Sequence, residues 1–470
     1  MEYFDRPLSS GALAPRLIAP TGLDQGVLDE MVRRVYAKRA RNLARTEYYD
    51  LHMKLNDFGI SLPPEMKTIE VVLGWPEKAV SALADRILFD GFAAETDEDA
   101  GLTDLLADNA ADTMLPQAFG SALVHSVAFM IATPGRDGEP DVVLSPKPAT
   151  HCTGLWDART NTLTDALSIT EEDKQGQPTT VVWYARDHVT TFTRGGTRAG
   201  TWTTTTEVNT TGRCWAVHLA YQPKLNRPFG SSRISRAVMA LTDAALRTLA
   251  RSEAHAEFFA APQRWATNVD PTQFSDSMKR WSAAMSQMLA AGPTEDGSEA
   301  HFGQFTGTSM APHIEHLQMW ASLFAAETSI PLDDLGIVHA NPSSAEAIYA
   351  AKESLVMKAR ATERAWGDSL RRLAITAIMI RDNLATPPDL TIRAKWINPA
   401  TPSIVSASDA IVKQISAIPW LAESPVALEA LGYDDATIMR LLADKRRAQG
   451  AAGLAQALSA NPVPGGGSPQ

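Results

Sequence analysis

The sequence predicts an α+β fold that is mainly helical, with long helices combined with one antiparallel β region. Three observations carry this. Apolar residues recur every three or four positions over several long stretches, which is the period of an α-helix. Between about Asp141 and Tyr221 the texture changes to short runs rich in Val, Thr, Trp and Tyr. These are broken by GRDGEP, KQGQP and RGGTRAG, so they read as strands joined by hairpin turns. Finally, 470 residues with 44% hydrophobic content can bury a core but exceed the size at which a single core stays intact, so three or four sub-domains are expected.

In chain order, Asp24 to about Tyr49 reads as a strongly basic helix. Arg33, Arg34, Lys38, Arg39, Arg41 and Arg45 are set around Leu28, Val32, Val35 and Tyr36, so one face packs and the other is cationic. That cationic face is either a surface for nucleic acid or an acidic partner, or a solvated face neutralised by its neighbours. Pro76 suits the first position of a helix over EKAVSALADRIL, and Leu102 to Met114 reads as another helix. Thr113 to Gly135 is uncharged apart from its histidine. It is nevertheless too rich in Pro116, Gln117, Gly120, Ser121, His125 and Ser126 to cross a membrane, and reads as a buried helix running into a strand. Within the β region, TWTTTTEV has the look of an exposed strand.

NRPFGSS ends the sheet. Ile234, Val238, Leu241, Ala245 and Leu249 then recur at helical spacing as far as about Ala260. Asp270 and Pro271 start a helix whose Phe274, Met278, Trp281, Met285 and Met288 share one stripe. A glycine-containing section leads to a helix with Ile314, Leu317, Trp320 and Phe324 on its apolar side. After SIPLDDLGIVHANP, whose Pro331, Gly336 and Pro342 prevent a continuous helix, Ser343 and Glu346 form a capping box. The helix they open runs to about Arg381. DLTIRAKWI is a possible strand, and two or three short helices follow between Ser406 and Arg447. The last 23 residues carry no charge and end in NPVPGGGSPQ, which reads as a disordered tail.

Composition narrows function. With 43 Lys and Arg against 54 Asp and Glu, the net charge of −11 argues against a broad basic face for nucleic acid or anionic membrane. Only Cys152 and Cys214 occur, which fits a reducing compartment and excludes a disulfide framework. The N-terminus, with Glu2 and Asp5, lacks the apolar segment of a secretory signal, so the protein is expected to stay inside the cell. GTSMAPHI, Gly307 to Ile314, resembles the serine motif of subtilisin-like proteases and would nominate Ser309. The family's aspartate and histidine motifs are missing, and none of the ten His residues precedes Gly. The competing reading is a turn with Pro312 starting the following helix. His313 and His316 could offer two imidazoles to a metal, but no second ligand cluster accompanies them. No phosphate-binding or dinucleotide-binding glycine loop is present, so no catalytic set emerges.

Four blocks carry a resemblance: RNLARTEYYDLHMKL; SALADRILFDGF; PFGSSRISRAVMALTDAALRTLARSEAHAEFFAAPQRW; and IPLDDLGIVHANPSSAEAIYAAKESLVMKARATER. Through them most of the chain resembles the portal proteins of tailed bacteriophages, of the type found in phages of actinobacteria. The resemblance implies a wing at 1–230 with its β-rich part at 139–222, a first stem helix at 231–260, a clip at 261–311 and a second stem helix at 312–329. It further implies a tunnel loop at 330–342, a long wing helix at 343–382, a C-terminal wing or crown at 383–450 and a free tail at 451–470. Asp333, Asp334, His339 and Asn341 of the tunnel loop would face the DNA channel. The stripe of Phe274, Met278, Trp281, Met285 and Met288 would lie in the clip and pack partly between subunits.

The function so implied is a ring, a dodecamer, at the capsid vertex of the virion, through which double-stranded DNA is packaged and ejected. Its partners would be the terminase large subunit, a head-tail adaptor, and the major capsid and scaffolding proteins, with assembly in the host cytoplasm. No cofactor, metal or catalytic residue is implied, since terminase would supply ATP hydrolysis. A subtilisin-like hydrolase and another head-assembly or adaptor protein are the alternatives.

Overall fold

The computed structural model describes residues 14–53, 71–94, 100–195, 201–260, 264–268, 299, 301–304, 309–337, 345–400, 404–433 and 435–460. The chain divides into two compact units, Met1–Pro399 and Ala400–Gln470, fewer than length alone suggested. One large apolar cluster joins helical and sheet residues of the first unit, with three smaller clusters beside it. Residues from Trp75 to Ala377 contribute to the large cluster.

Helix α1, Gln25–Tyr49, starts where Asp24 accepts a hydrogen bond from the Gly26 amide at 2.8 Å. Its Leu28, Met31, Val32 and Val35 are buried against Leu167, Ile169, Val181, Trp183 and Phe192 of a sheet. The division into an apolar and a cationic face needs correction, because Arg39 and Asn42 are also buried. Arg39 reaches Glu172 at 3.2 Å, and the Asn42 amide donates to the Ala149 carbonyl.

Helix α2, Trp75–Ala84, has Pro76 as its second residue. Strand β1, Phe89–Ala94, follows. The helix expected over Leu102 to Met114 is two helices, α3 Leu102–Asp108 and α4 Ala111–His125, because Ala110 is left-handed at φ +47°. Asn109 holds that break: its side chain donates to the Leu105 and Val142 carbonyls and accepts from the Leu144 amide. Helix α4 then runs into strand β2, Val127–Pro134, as the pattern predicts, and the first six residues of β2 are buried.

Strand β2 is the centre of a three-stranded antiparallel sheet between β3, Val142–Pro148, and β9, Ala216–Ala220. The five intervening strands form an antiparallel meander: β4 Cys152–Asp157, β5 Thr162–Glu172, β6 Pro178–Tyr184, β7 His188–Arg194 and β8 Trp202–Val208. Its last strand, the Thr-rich β8, is exposed along nearly its whole length, as the sequence predicts. Cys152 and Cys214 are free thiols in one buried cluster. Burial pushes the Cys214 thiol up to about 12 and Cys152 up as well.

Helix α5, Arg236–Ala260, and helix α6, Ala311–Thr328, flank a two-stranded sheet of β10, Arg264–Thr267, and β11, His301–Gln304. A 3-10 turn, Leu332–Leu335, precedes helix α7, Ala345–Arg381. At 1.5 Å per residue the 37 residues of α7 span about 56 Å. Strand β12, Ile392–Trp396, pairs with β1, and Phe89 meets Trp396 with ring centroids 5.5 Å apart.

The second unit comprises helix α8 Ile404–Ala417, a 3-10 turn Pro419–Glu423, helix α9 Pro425–Ala430 and helix α10 Asp435–Ala460. The expected free tail from 451 therefore needs correction: α10 continues past Gly450 to Ala460, which is helical without any charge to mark it. Among the described residues no helix is long and apolar enough to cross a membrane.

Candidate functional site

Helices α5 and α6 pack as an antiparallel pair, with the turn Leu332–Leu335 following α6. Three contacts fix its register from one end to the other. The Ser235 hydroxyl donates to Glu327 at 3.1 Å, the Trp320 indole donates to the Thr248 hydroxyl at 3.2 Å, and the rings of His255 and His313 meet nitrogen to nitrogen at 2.8 Å. Below the pair, Phe324 is fully buried and packs on Trp75, with centroids 5.1 Å apart.

The residues before α5 are not helical, although Ile234 fits the helical spacing. They are threaded into the core. The Ser232 hydroxyl donates to the Val124 carbonyl at 2.5 Å, the Arg233 amide donates to the Leu123 carbonyl at 2.8 Å, and Ile234 is fully buried. Arg233 is the junction. Its guanidinium, 6% exposed, donates to the Ala79 carbonyl in α2, to the Thr328 carbonyl at 2.8 Å and to the Tyr221 hydroxyl at 3.3 Å. Thr328 ends α6, so its carbonyl is one that the helix itself leaves unpaired, and a cation at a helix C-terminus is also favoured by the helix dipole. One side chain thereby ties α2, the end of β9 and the end of α6 together. In the sequence Arg233 is only an arginine in a polar loop, because its three acceptors lie far away along the chain.

Immediately after Thr328 the chain turns at Ser329, left-handed at φ +61°, and buries Ile330. Pro331 then opens the 3-10 turn, which closes with Gly336 at φ +82°, a conformation that favours glycine. The expected interruption of the helix is therefore present. The described half of the loop is structured, with Leu332, Leu335 and Ile337 resting against the core. Asp333 is exposed and Asp334 half-buried. His339 and Asn341 lie outside the described residues, as do Phe274, Met278, Trp281, Met285 and Met288.

Across the body, α7 is anchored by Trp366, fully buried, whose indole donates to the Ala220 carbonyl at 3.0 Å and whose ring stacks on Phe119 at 4.8 Å. Truncating a tryptophan packed this way costs roughly 3–5 kcal/mol. Glu363, one turn away, is buried with one carboxyl oxygen unpartnered, and burial raises it to about 7. Tyr48 of α1 donates to Asp243 of α5 at 2.8 Å, and desolvation raises both groups above their usual values.

The protease-like motif forms no catalytic arrangement. The Ser309 hydroxyl accepts from the Ala311 amide at 3.1 Å, and α6 starts at Ala311 with Pro312 next, so the serine serves the helix start. His313 faces His255, and His316 lies against the Trp320 ring at 5.1 Å. Both are half-buried. Among the described residues no group of three or more His, Cys, Asp or Glu could hold a metal ion.

The described residues thus form an antiparallel helix pair tied by Arg233 to a mixed α and β body, followed by a turn and a long helix. The family model for phage portal proteins of the SPP1 Gp6-like kind matches residues 31–425, and the chain belongs to this family, whose members are structural proteins of the capsid vertex. The portal protein of Mycobacterium phage L5 is 27% identical over 465 residues, covering 95% of this chain and 94% of that protein. The portal protein of Mycobacterium phage D29 is 25% identical over 457 residues, covering 94% and 93%. Among solved structures, a chain from the neck of the native GTA particle, computed with C12 symmetry, is 14% identical. It covers 77% of this chain and 90% of its own length, with a TM-score of 0.44.

Proposed function

We propose that copies of this chain close into a ring, twelve-fold as the resemblance implies, and that double-stranded DNA passes through its channel during packaging and ejection. Membership of the portal family supports this reading, as do two relatives named portal proteins along almost their full lengths. The observation that carries ring formation is a second apolar face on α6. Ala321, Phe324 and Ala325 are buried within the chain, while Met319 and Leu323, four residues apart on the opposite side, are 43% and 48% exposed. An apolar face on a helix already packed by its own chain is covered when a neighbouring copy sits against it.

In this reading α5 and α6 form the stem. The segment 261–311 between them is the clip, with Phe274, Met278, Trp281, Met285 and Met288 packing partly between subunits. The terminase large subunit docks there and supplies the ATP hydrolysis, so the ring performs no chemistry and needs no cofactor. The head-tail adaptor and the major capsid and scaffolding proteins are its other partners, and assembly takes place in the host cytoplasm. The loop 330–342 faces the channel. There Asp333 and Asp334 offer DNA no attraction, and His339 and Asn341 make short-lived contacts. A net charge of −11, multiplied around a ring, keeps phosphate from adhering along the path.

The test is genetic. Deleting Leu335 to His339 in a phage should leave rings and procapsids intact and reduce the DNA packaged. Normal packaging by that deletion, with intact rings seen by microscopy, would remove the loop from DNA passage.

A further inference from the structure

Six cations lie on α1 between Arg33 and Arg45, and the structure divides them. Arg33 and Arg34 reach Glu30 at 2.5 and 2.7 Å, and Arg39 turns inward to Glu172. Among the described residues Lys38, Arg41 and Arg45 have no carboxylate at ion-pair distance. Lys38 and Arg41 stand exposed on one side of the helix; Arg34, shared with Glu30, lies one turn before them and Arg45, whose guanidinium donates to the His125 carbonyl at 3.1 Å, one turn after, so the four follow one stripe about 16 Å long whose accessible charges are the middle two.

A fifth charge comes from far along the chain. The turn at Lys224 and Arg227 is closed by two reciprocal backbone bonds of 3.0 and 2.8 Å, and it presents Arg227 to the stripe. Burial, then the repulsion of Arg41 and Arg227, pulls the Arg45 guanidinium down to about 10. Burial and the same two neighbours, with Arg34 and Arg45, lower the Lys38 ammonium. Uncompensated like charges at this density oppose the fold, and an anion laid along them removes that penalty.

The shape of the stripe selects the anion. Lys38, Arg41 and Arg227 are exposed, and the residues between the cations, Ala37 and Ala40, are exposed and small, so an extended backbone can approach closely. Helix α1 shows no exposed large apolar side chain of the kind on which protein interfaces centre. We propose that this stripe, completed by Arg227, is a binding site for the phosphodiester backbone of double-stranded DNA. The inference rests on the portal reading in one respect, that DNA is the polyanion this protein meets. Contacts of this kind position DNA without reading its sequence, and they weaken steeply with salt.

The test uses the purified full chain, a short duplex of random sequence and fluorescence anisotropy over about 50 to 200 mM salt. The triple variant Lys38→Gln, Arg41→Gln, Arg227→Gln should bind roughly tenfold more weakly or worse at the low end. Its slope of log affinity against log salt should shrink by up to about 2.7, at about 0.9 per lost phosphate contact. Arg33→Gln, whose charge Glu30 already meets, and Leu225→Ala, at the exposed tip of the turn, should bind like the parent. Unchanged affinity and slope in the triple variant would overturn the proposal. So would displacement of the duplex by polyglutamate together with a loss on Leu225→Ala, which would assign the stripe to an acidic protein segment. Imaging the same preparations separates the two readings. Rings with unaltered DNA binding sink the stripe alone, whereas a fall in binding supports the stripe whether or not rings form.

Discussion

Replacing Arg233 with methionine keeps an unbranched apolar stem, two atoms shorter than the arginine, and removes its five donors. The Ala79 carbonyl sits inside α2 and keeps its helical partner, and the Tyr221 hydroxyl still accepts from the Gln222 amide at 3.1 Å, but the Thr328 carbonyl at the end of α6 loses the guanidinium in a buried setting. A buried polar group left without a partner costs about 1–3 kcal/mol. The orphaned Thr328 carbonyl and the volume vacated by the shorter side chain together cost on the order of 2–4 kcal/mol, and relief from burying a charge returns part of it, so a net loss of roughly 1–3 kcal/mol is expected. Urea unfolding followed by tryptophan fluorescence reads the size of the loss, and backbone hydrogen exchange reads its place. Protection should fall first at the end of α6 and in the turn Leu332–Leu335, while α10, in the other unit, keeps its exchange rates. A loss below about 1 kcal/mol, or exchange that rises equally in α10, would refute the assignment of Arg233 as the latch between α6 and the rest of its unit.

Three further outcomes follow from the same geometry. Glu363 is raised from 4.5 to about 7, so the folded state favours its neutral form. Its contribution to stability should therefore be full below about 4.5 and be lost as pH rises through about 7, and Glu363→Gln should remove that part of the pH dependence of the urea midpoint; an unchanged profile contradicts the burial argument. Leu323→Asp places a charge on the exposed apolar face of α6, so it should abolish ring formation by light scattering while leaving the circular dichroism of the chain intact; rings of normal size would assign that face to solvent. Ser309, engaged with the Ala311 amide, should not be labelled by a fluorophosphonate, and stoichiometric labelling would reopen the hydrolase reading.

Much of the fold was legible because its signals are local. The cap at Asp24, the turns GRDGEP and KQGQP, and the threonine-rich exposed strand each declare themselves within a few residues. What escaped depends on partners distant in sequence. Strand β1 reads as the end of a helical part because FDGFAA is short, with Gly91 at φ +89°, and its partner β12 lies near the other end of the unit. The break at Ala110 is made by Asn109 bonding to β3, and neither residue is a strong helix breaker. Arg39 looked solvated because an arginine at helical spacing says nothing of Glu172 in a strand beyond. Of the candidate site, periodicity located helices α5 and α6 and the interruption after Thr328, but Arg233 acquires its role from three oxygens on separate elements. The charged stripe was visible as six cations, and only the fold shows which of them are neutralised and that Arg227 joins the rest.

The central claim is that this chain is one subunit of a closed portal ring. Electron microscopy of the purified full-length protein, with symmetry analysis of end-on views, tests it most directly. The account predicts closed rings of twelve copies with an open axial channel. Particles that remain single chains under every assembly condition, or that join into open filaments without a central hole, would contradict it.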